Sequence, residues 1–419
     1  MAKEPTDESV VRDYLGGYGV GVKVLYDRMK PGVDPLGPDA MLGFTSGPLT
    51  GTPALTSGRY TVVGKSPLTG TWGDSSSGGD FGPYMKFAGY DFVFFTGISP
   101  KPVYLLLDEG QASLQDAAHL WGKDTQVTDD QLRDEYGKRH TRVSCIGQAG
   151  EMQSLIACVM NDKGRAAGRS GLGAVMGSKM LKAIVARGTI KVPMHDAREA
   201  TLMRRRWIPK LNEGGDLFHE YGTAGITEGL VALGDSPVKN WGGSSVDFPT
   251  VEKIGGDEVI SEQAKRYGCW RCTIACGGHM KAGAGRAKES HKPEYETLTM
   301  AGTNILNDDL ESIIRFNDIC NAAGLDTISA GSAVSFAVES FQNEIISLDD
   351  VGFELNWGDG EAVTSLVDLI ARREGIGEIL ADGVRSAAEK FGQGADEFAV
   401  HAGGQELPAH DPKFVPSLS

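Results

Sequence analysis

Long apolar runs are absent from this 419-residue sequence. A membrane-spanning helix needs about 20 mostly apolar residues, and no stretch of the chain provides them. The first residues, Met1 to Pro5, also lack the basic region followed by an apolar one that a secretory signal peptide requires. These absences predict a cytoplasmic protein without a membrane partner.

Positive charge is in deficit. The chain has 41 Lys and Arg residues against 56 Asp and Glu residues, which gives a formal net charge of -15. Most of such a surface repels the phosphates of nucleic acid. The charge therefore argues against a nucleic-acid partner and leaves small molecules and other proteins.

Cysteine is scarce and unevenly placed, with six residues at positions 145, 158, 269, 272, 276 and 320. A chain of this length can form two or three domains that each bury a core, so disulfide bonds are not needed for stability. Three of the cysteines fall within eight residues. In a reducing compartment that grouping favours metal binding over disulfide formation.

Glycine, in contrast, is abundant, with 57 residues. Much of it lies in segments 74–82 and 164–179, whose spacing matches neither a dinucleotide-binding nor a phosphate-binding loop. Glycine lets the backbone approach a bulky ligand closely, with Arg165 or Arg169 available to hold an anion. Ordinary tight loops are the alternative interpretation.

The hydrophobic pattern predicts an α/β to α+β fold. Residues 1–192 form a predicted β-rich domain, because short apolar runs at 62–63, 92–95 and 103–107 and a closing strand at 182–188 lie between turn residues. A helix is predicted over 197–208, stopped by Pro209. Residues 193–395 read as a helical domain, and residues 396–419 as the start of a third domain.

Three helices are predicted in the second domain from apolar residues at helical spacing, over 310–323, 364–373 and 376–391. Gly324 follows the first of them directly and is a typical residue to end a helix.

The three clustered cysteines have the spacing Cys269-x2-Cys272-x3-Cys276. Thiolates this close in sequence hold either an iron-sulfur cluster or zinc. A zinc site usually has a second pair of ligands 12 to 20 residues away, and only His279 and His291 lie downstream, poorly paired. The spacing favours an iron-sulfur cluster, and structural zinc and unligated core cysteines are the alternatives. Cys320, in a predicted helix, is expected to be a core cysteine rather than the fourth ligand.

Ten segments occur in an order that is typical of one family. They are residues 14–17, 46–52, 58–62, 65–70, 86–91, 164–179, 269–276, 293–297, 324–329 and 405–412. Together they resemble the aldehyde:ferredoxin oxidoreductases, whose subunits bind a tungsten-bispterin cofactor beside a [4Fe-4S] cluster. The resemblance implies that the first domain is a platform for the pterins and that the helical domain carries the cluster ligands.

The resemblance also implies roles for individual residues. Arg59 corresponds to an arginine between pterin and cluster. The residues expected to contact pterin are, in the first domain, Ser76, Gly78 and Ala166, and in the second, Asn321, Gly324, Leu325 and Asp326. The second set matches an Asp-x-x-Gly-Leu-Asp motif in which Asn321 replaces the first Asp, and an amide still accepts a hydrogen bond.

Near the metal, the family places a carboxylate and a histidine. By position these are Glu294, with Glu296 as the alternative, and His401. A carboxylate there could take part in proton transfer as the aldehyde is oxidised. The ordinary interpretations are a helix-capping carboxylate and a histidine at the end of a strand.

Three departures from the family pattern are visible. Gly403 stands where the family commonly has a pterin-contacting lysine, the segment before Tyr14 is too short and polar for the family's first strand, and the chain stops soon after Pro412. We therefore expect a fragment, or a partner that supplies the rest, or impaired cofactor binding. We also expect that the chain alone cannot shield a complete cofactor.

The function implied by the resemblance is oxidation of aldehydes to carboxylic acids, with electrons passed through the cluster to ferredoxin. The implied cofactors are a tungsten-bispterin centre, with molybdenum as the alternative metal, and a [4Fe-4S] cluster. A homodimer or a partner subunit is compatible with this assignment. The alternatives are the tungsten subunit of an aromatic acyl-CoA reductase complex and a non-catalytic iron-sulfur electron-transfer subunit.

Overall fold

The computed structural model describes residues 1–283 and 290–414. They form two compact units: unit 1 comprises Met1–Leu211 and Cys269–Thr273, and unit 2 comprises Asn212–Gly268 and the chain from Ile274 onward. Unit 1 is rich in strands and unit 2 is mainly helical, which confirms the predicted fold class. In the described part of the chain, no helix is both long and apolar enough to cross a bilayer.

The first sheet of unit 1 is antiparallel, with strand order β3-β2-β1-β4. Its strands are β1 (Leu42–Ser46), β2 (Tyr60–Lys65), β3 (Trp72–Ser77) and β4 (Phe92–Phe95). Phe44 lies opposite Val62 on one side and Val93 on the other. Phe44, Tyr60 and Phe81 are fully buried in the main core of the unit, so this sheet supplies a rigid base for the loops at its ends.

The second sheet of unit 1 has six strands in the order β6-β5-β10-β7-β8-β9. They are β5 (Val103–Asp108), β6 (Gln111–Asp116), β7 (Thr141–Cys145), β8 (Val159–Asn161), β9 (Arg165–Ala167) and β10 (Leu181–Arg187). Strand β10 pairs parallel to β5, and the other pairs are antiparallel. The predicted strands at 62–63, 92–95, 103–107 and 182–188 all fall on observed strands.

The helices of unit 1 are short. They are α1 (Glu8–Tyr14), α2 (Gly17–Arg28), α3 (Phe81–Phe87), α4 (Thr125–Tyr136), α5 (Gln148–Glu151) and α6 (Leu172–Ser178). Helix α7 (Ala197–Gly214) then crosses into unit 2 and contains Pro209. The prediction that Pro209 ends this helix is wrong. The helix has no buried residues, so the carbonyl group that loses its hydrogen bond at the proline is free to bond to water.

Unit 2 contains ten helices in its described residues. They are α8 (Asp216–Glu220), α9 (Thr227–Leu233), α10 (Gly256–Ser261), α11 (Tyr295–Met300), α12 (Leu310–Ala323), α13 (Thr327–Gln342), α14 (Leu348–Val351), α15 (Gly360–Arg372), α16 (Gly377–Leu380) and α17 (Gly383–Phe391). Two hairpins accompany them, one of β11 (Gln263–Tyr267) and β12 (Gly277–Met280), the other of β13 (His401–Ala402) and β14 (Gln405–Glu406).

Helix ends in unit 2 follow local signals where those signals are strong. Helix α12 has the predicted bounds and ends at Gly324, whose φ of 75° is the left-handed conformation that glycine adopts readily. The single helix predicted over 376–391 is wrong, since the structure has two helices there. The break is at Ala381 and Asp382, directly before Gly383, whose φ is 84°.

Candidate functional site

Arg59 is held by the end of the neighbouring strand β3. It lies immediately before β2, in which Thr61 pairs with Ser76. The Nε atom of Arg59 donates a hydrogen bond to the Oγ of Ser76 at 3.0 Å, and its Nη2 donates to the carbonyl oxygen of Ser76 at 3.1 Å. The guanidinium is therefore fixed in place while the residue is exposed to solvent.

Gly78 lies beside this guanidinium and allows the thiol of Cys269 to come close to the backbone. A Cβ atom placed on Gly78 would lie 2.9 Å from the Sγ of Cys269 and 3.9 Å from the Nη1 of Arg59. Any side chain at position 78 would collide with the thiol. The absence of a side chain at position 78 thus allows a thiol and a cation to approach the same point of the backbone. Three residues predicted from the sequence, Arg59, Ser76 and Gly78, meet a predicted cluster ligand here.

The loop that carries Cys269 and Cys272 is anchored to unit 1. The Trp270 N-H donates to the carbonyl oxygen of Gly79 at 3.3 Å, and the Thr56 N-H donates to that of Arg271 at 3.3 Å. The Trp270 ring packs edge-on against Phe87, with ring centroids 5.4 Å apart, and contacts the hydrophobic core. The backbone of this loop is thereby fixed at the two residues that follow Cys269.

The six cysteines fall into two groups by exposure. Cys269, Cys272 and Cys276 are partly exposed, whereas the other three are buried. Burial raises the pKa of the Cys145 thiol to about 12, which disfavours the thiolate that binds metal. Cys320 is fully buried on α12, as its neighbours predicted.

Over residues 1–283 and 290–414, no three His, Cys, Asp or Glu side chains form a group that could hold a metal ion. Cys269 and Cys272 belong to unit 1 and Cys276 to unit 2. The cluster assignment for these three cysteines therefore stays a prediction. It is supported by the chemistry of the donor set, which is three accessible thiols on one short loop.

Ala166 lies on β9, and β9 packs beside β3, the strand that contains Ser76. Just after β9, the Arg169 N-H donates a hydrogen bond to the Oγ of Ser75 on β3 at 3.1 Å. Ala166 is exposed. The glycine-rich segments 74–82 and 164–179, considered separately in the sequence, thus lie side by side in unit 1.

In unit 2, Glu294 is the residue immediately before helix α11. One of its carboxylate oxygens, Oε2, accepts a hydrogen bond from the Oγ1 of Thr223 at 2.5 Å. The same Oγ1 accepts the Tyr295 N-H at 2.9 Å. Thr223 therefore caps the helix in place of Glu294, and Glu294 does not make the capping bond that its position alone would predict.

His401 is a half-buried residue on strand β13. Its Nδ1 accepts a hydrogen bond from the Gly404 N-H at 3.2 Å, which leaves Nε2 to carry the proton of the neutral ring. Burial lowers the pKa of His401, and the nearby positive charge of Arg385 lowers it further. Both effects favour the neutral form of the ring.

This environment predicts that the pKa of His401 in the folded protein is lower than the pKa of a free histidine side chain. As the pH falls, the unfolded chain takes up the histidine proton before the folded one, so the contribution of His401 to stability decreases with acidification. Nitrogen-15 NMR of the histidines follows the titration directly, and the His401→Gln variant identifies its signal. A His401 pKa above that of the free side chain would contradict the prediction.

The pterin-motif residues of unit 2 are fixed by a buried polar network. Asp326 caps α13 and accepts a hydrogen bond from the Oγ of Ser329 at 2.8 Å. Ser329 Oγ also lies 2.7 Å from the Oε2 of Glu406, so its single hydrogen is shared between the two carboxylates. Glu406 lies opposite His401 in the second hairpin. The network links the segment with Asn321, Gly324, Leu325 and Asp326 to the hairpin that carries His401.

Ser329 and Glu406 were not singled out from the sequence. Glu406 is almost fully buried and also accepts the Val384 N-H at 2.9 Å. The available signal was its place within segment 405–412, one of the ten segments that carry the family resemblance.

Glu296, the alternative to Glu294, binds the backbone of segment 405–412. Its Oε2 accepts the Ala409 N-H at 2.8 Å. Nearby, the Nδ1 of His410 lies 2.7 Å from the Oδ2 of Asp235. These contacts hold segment 405–412 against the start of α11.

Comparison with known proteins places the whole chain in one family. The aldehyde ferredoxin oxidoreductase N-terminal domain matches residues 1–188, and domains 2 and 3 of that family match residues 199–419. The tungsten-containing aldehyde ferredoxin oxidoreductase of Pyrococcus furiosus is 39% identical over 417 residues, which cover 98% of this chain and 68% of that protein.

Two further relatives extend the comparison. The aliphatic sulfonate oxidoreductase, WOR-like subunit, of Pyrococcus furiosus is 31% identical over 96% of this chain and 68% of its own length. The solved active-site complex BamBC of benzoyl coenzyme A reductase with 1,5-dienoyl-CoA contains a chain that matches with a TM-score of 0.85 and 28% identity. That match covers 97% of this chain and 63% of the other, so this chain spans under two thirds of its structural neighbour. The chain belongs to the aldehyde ferredoxin oxidoreductase family.

Proposed function

We propose that this chain oxidises aldehydes to carboxylic acids at a tungsten-bispterin centre and passes the electrons through a [4Fe-4S] cluster to ferredoxin. The overall reaction is RCHO + H2O → RCOOH + 2 H⁺ + 2 e⁻. The observation that carries the proposal is the close approach of the Cys269 thiol and the Arg59 guanidinium to the same glycine, Gly78. Family membership supports the same reaction, since its curated relatives include tungsten-containing aldehyde ferredoxin oxidoreductases.

The three clustered cysteines, two in unit 1 and one in unit 2, and Arg59 in unit 1 suit the expected cofactors. Cys269, Cys272 and Cys276 would hold the cluster as thiolates. The fixed guanidinium of Arg59 supplies a permanent positive charge and several N-H donors where an anionic pterin phosphate and a cluster are both expected. When bound, the tungsten-bispterin centre supplies the two-electron redox chemistry, and the cluster conducts the electrons one at a time.

The residues of unit 2 would act on protons and on the second pterin. Glu294 is partly buried and accepts a hydrogen bond from Thr223, so its carboxylate is oriented to take a proton as water adds to the aldehyde carbon. His401 in its neutral form, with its Nε2 proton directed away from Gly404, can donate a hydrogen bond to substrate. Asp326 and its neighbours would hold the second pterin.

A second candidate function has a specific observation in its favour. The benzoyl coenzyme A reductase chain has nearly the same fold as this one, so a role in reducing an aromatic acyl-CoA is the main competitor. The two functions separate in one assay of the protein purified without oxygen. Aldehyde-dependent reduction of a viologen dye supports the proposal. Dienoyl-CoA oxidation with the same dye, in the absence of any aldehyde activity, would replace it with the competitor.

Arg59 provides a prediction that depends on both cofactors. The Arg59→Ala variant is expected to lose bound pterin and to show an altered cluster midpoint potential, because the variant removes a charge that borders Cys269. The Arg59→Lys variant keeps the charge but not the two hydrogen bonds to Ser76. Its cluster midpoint potential should therefore be close to that of the unaltered protein, while its pterin content stays low. Full pterin content with an unaltered potential in Arg59→Ala would contradict the assignment.

A further inference from the structure

A hairpin turn in unit 1 lies against the corner formed by Gly78 and Gly79. Strand β8 ends at Asn161 and β9 begins at Arg165. Between them, Asp162 and Lys163 both have positive φ, 46° and 63°, and the Gly164 N-H donates to the carbonyl oxygen of Asn161 at 3.3 Å. Two consecutive left-handed residues are typical of a tight type I′ turn. Such a turn fixes the backbone at Asp162 and so limits the directions that its side chain can take.

The Asp162 side chain accepts a hydrogen bond from the backbone next to the corner. Its Oδ2 accepts the Asp80 N-H at 2.6 Å. A Cβ atom placed on Gly79 would lie 2.2 Å from the same Oδ2 and 2.5 Å from the Oδ1 of Asn161. The turn therefore fits over the corner only because position 79 has no side chain, and Gly79 itself has a φ of 87°.

The opposite side of the corner holds the cysteine loop. The Gly79 carbonyl oxygen accepts the Trp270 N-H, and Trp270 is the residue next to Cys269. A Cβ atom on Gly58, below this contact, would lie 2.6 Å from the Gly79 oxygen and 3.1 Å from the Trp270 nitrogen. Asp162 thus contacts the corner on one side and the cysteine loop contacts it on the other. Both contacts are too close for a side chain at Gly58 or Gly79.

Arg142 fixes Asp162 within this stack. Its Nη2 lies 3.1 Å from the Oδ2 of Asp80, and its Nε lies 3.8 Å from the Oδ1 of Asp162. The guanidinium also lies over the Tyr84 ring at 4.4 Å, and the edge of that ring meets Trp270. The side chains of Arg142, Asp80 and Asp162 are each at least 74% buried. Solvent therefore screens the attraction between their charges only weakly.

We infer that Asp162, held by Arg142, is a positioning residue for the iron-sulfur cluster. It does not touch the Cys269 thiol. It sets the place of Gly79 and Asp80, and these set the place of Trp270 and of the thiol beside Gly78. The inference rests on the proposed function only in taking Cys269 as a cluster ligand.

The first test uses the apo-protein and needs no cofactor. The variants are Asp162→Ala, which removes both the bond to Asp80 and the charge, and Asp162→Asn, which keeps an oxygen for the Asp80 N-H. The rate of Cys269 alkylation by iodoacetamide is measured by peptide mass spectrometry, at a pH well above the pKa of Asp162, which burial raises to about 6. Asp162→Ala should raise the rate about fivefold, the change expected for loss of one hydrogen bond, and Asp162→Asn should raise it less.

The matched control is Glu151→Gln. Glu151 forms a similarly buried ion pair with Lys182 at 2.5 Å in the same unit, away from the cysteine loop. This variant should leave the alkylation rate of Cys269 unchanged. An equal increase in Glu151→Gln and Asp162→Ala would overturn the inference, because it would indicate general loosening of unit 1 rather than a local effect.

The second test uses protein with its cluster in place. Asp162→Ala should shift the midpoint potential and the electron paramagnetic resonance spectrum of the reduced cluster, and Asp162→Asn should restore the spectrum in part. If Asp162→Ala keeps both the alkylation rate and the spectrum of the unaltered protein, Asp162 has no positioning role. If the unaltered protein binds no cluster, the proposed function fails, while the alkylation test still decides the role of Asp162 at Cys269. Should Asp162→Ala fail to fold, Asp162→Asn alone decides, through the same two measurements.

Discussion

Replacing Cys272 with serine is expected to remove the visible iron-sulfur absorbance and most of the bound iron and sulfide. A serine oxygen is a poor substitute for a thiolate at an iron corner, and the other two clustered cysteines cannot hold a cubane alone. Cys272 is partly exposed, and its N-H bonds to the Cys269 carbonyl oxygen at 3.0 Å. The substitution therefore changes the donor atom while the loop keeps its backbone contacts.

Cys145→Ser is the matched control for this experiment. Cys145 is buried in unit 1, and its Sγ donates to the Thr125 carbonyl oxygen at 3.7 Å, a bond that a serine hydroxyl can replace. This variant should retain the absorbance, the iron and the sulfide. Unchanged iron and sulfide in Cys272→Ser would show that the three-cysteine motif does not hold the cluster.

Replacing Glu294 with glutamine is expected to lower kcat for aldehyde oxidation by a factor on the order of 10² to 10⁴, the usual contribution of a general base. Glutamine retains an oxygen for the hydrogen bond from Thr223 Oγ1 but cannot accept a proton at working pH. Bound tungsten and the substrate KM should change little, since the geometry around position 294 is kept.

The comparison for Glu294 is the Glu296→Gln variant. A glutamine at 296 can still accept the Ala409 N-H, so kcat should stay close to that of the unaltered protein. The opposite ranking, with Glu296→Gln the more damaged variant, would assign proton transfer to Glu296. If Glu294→Gln and Glu296→Gln both keep full activity, neither carboxylate takes part in the proton transfer.

Local sequence patterns predicted the strands well and the helix ends less well. Short apolar runs such as 92–95 identify strands because a buried strand needs little else. Pro209 failed as a helix stop because an exposed helix can leave one carbonyl to water. The break directly before Gly383 was missed because the apolar spacing continues on both sides of it.

The site was predictable only where a family resemblance indicated it. The pairing of Arg59 with Ser76 and the approach of Gly78 to Cys269 join residues far apart in the sequence. No local pattern shows that the loop Cys269–Thr273 belongs to unit 1 while the rest of its hairpin belongs to unit 2. Ser329 and Glu406 were missed for the same reason, since their hydrogen bond spans 77 residues.

Metal analysis of the protein purified without oxygen from cells supplied with tungstate decides whether this chain holds both expected cofactors. We expect tungsten, pterin and iron bound together, with iron lost in Cys272→Ser and pterin lost in Arg59→Ala. Iron without tungsten would indicate a non-catalytic electron-transfer subunit, and zinc alone would indicate a structural metal at the three cysteines. Either of these results would contradict the assignment of aldehyde oxidation to this chain.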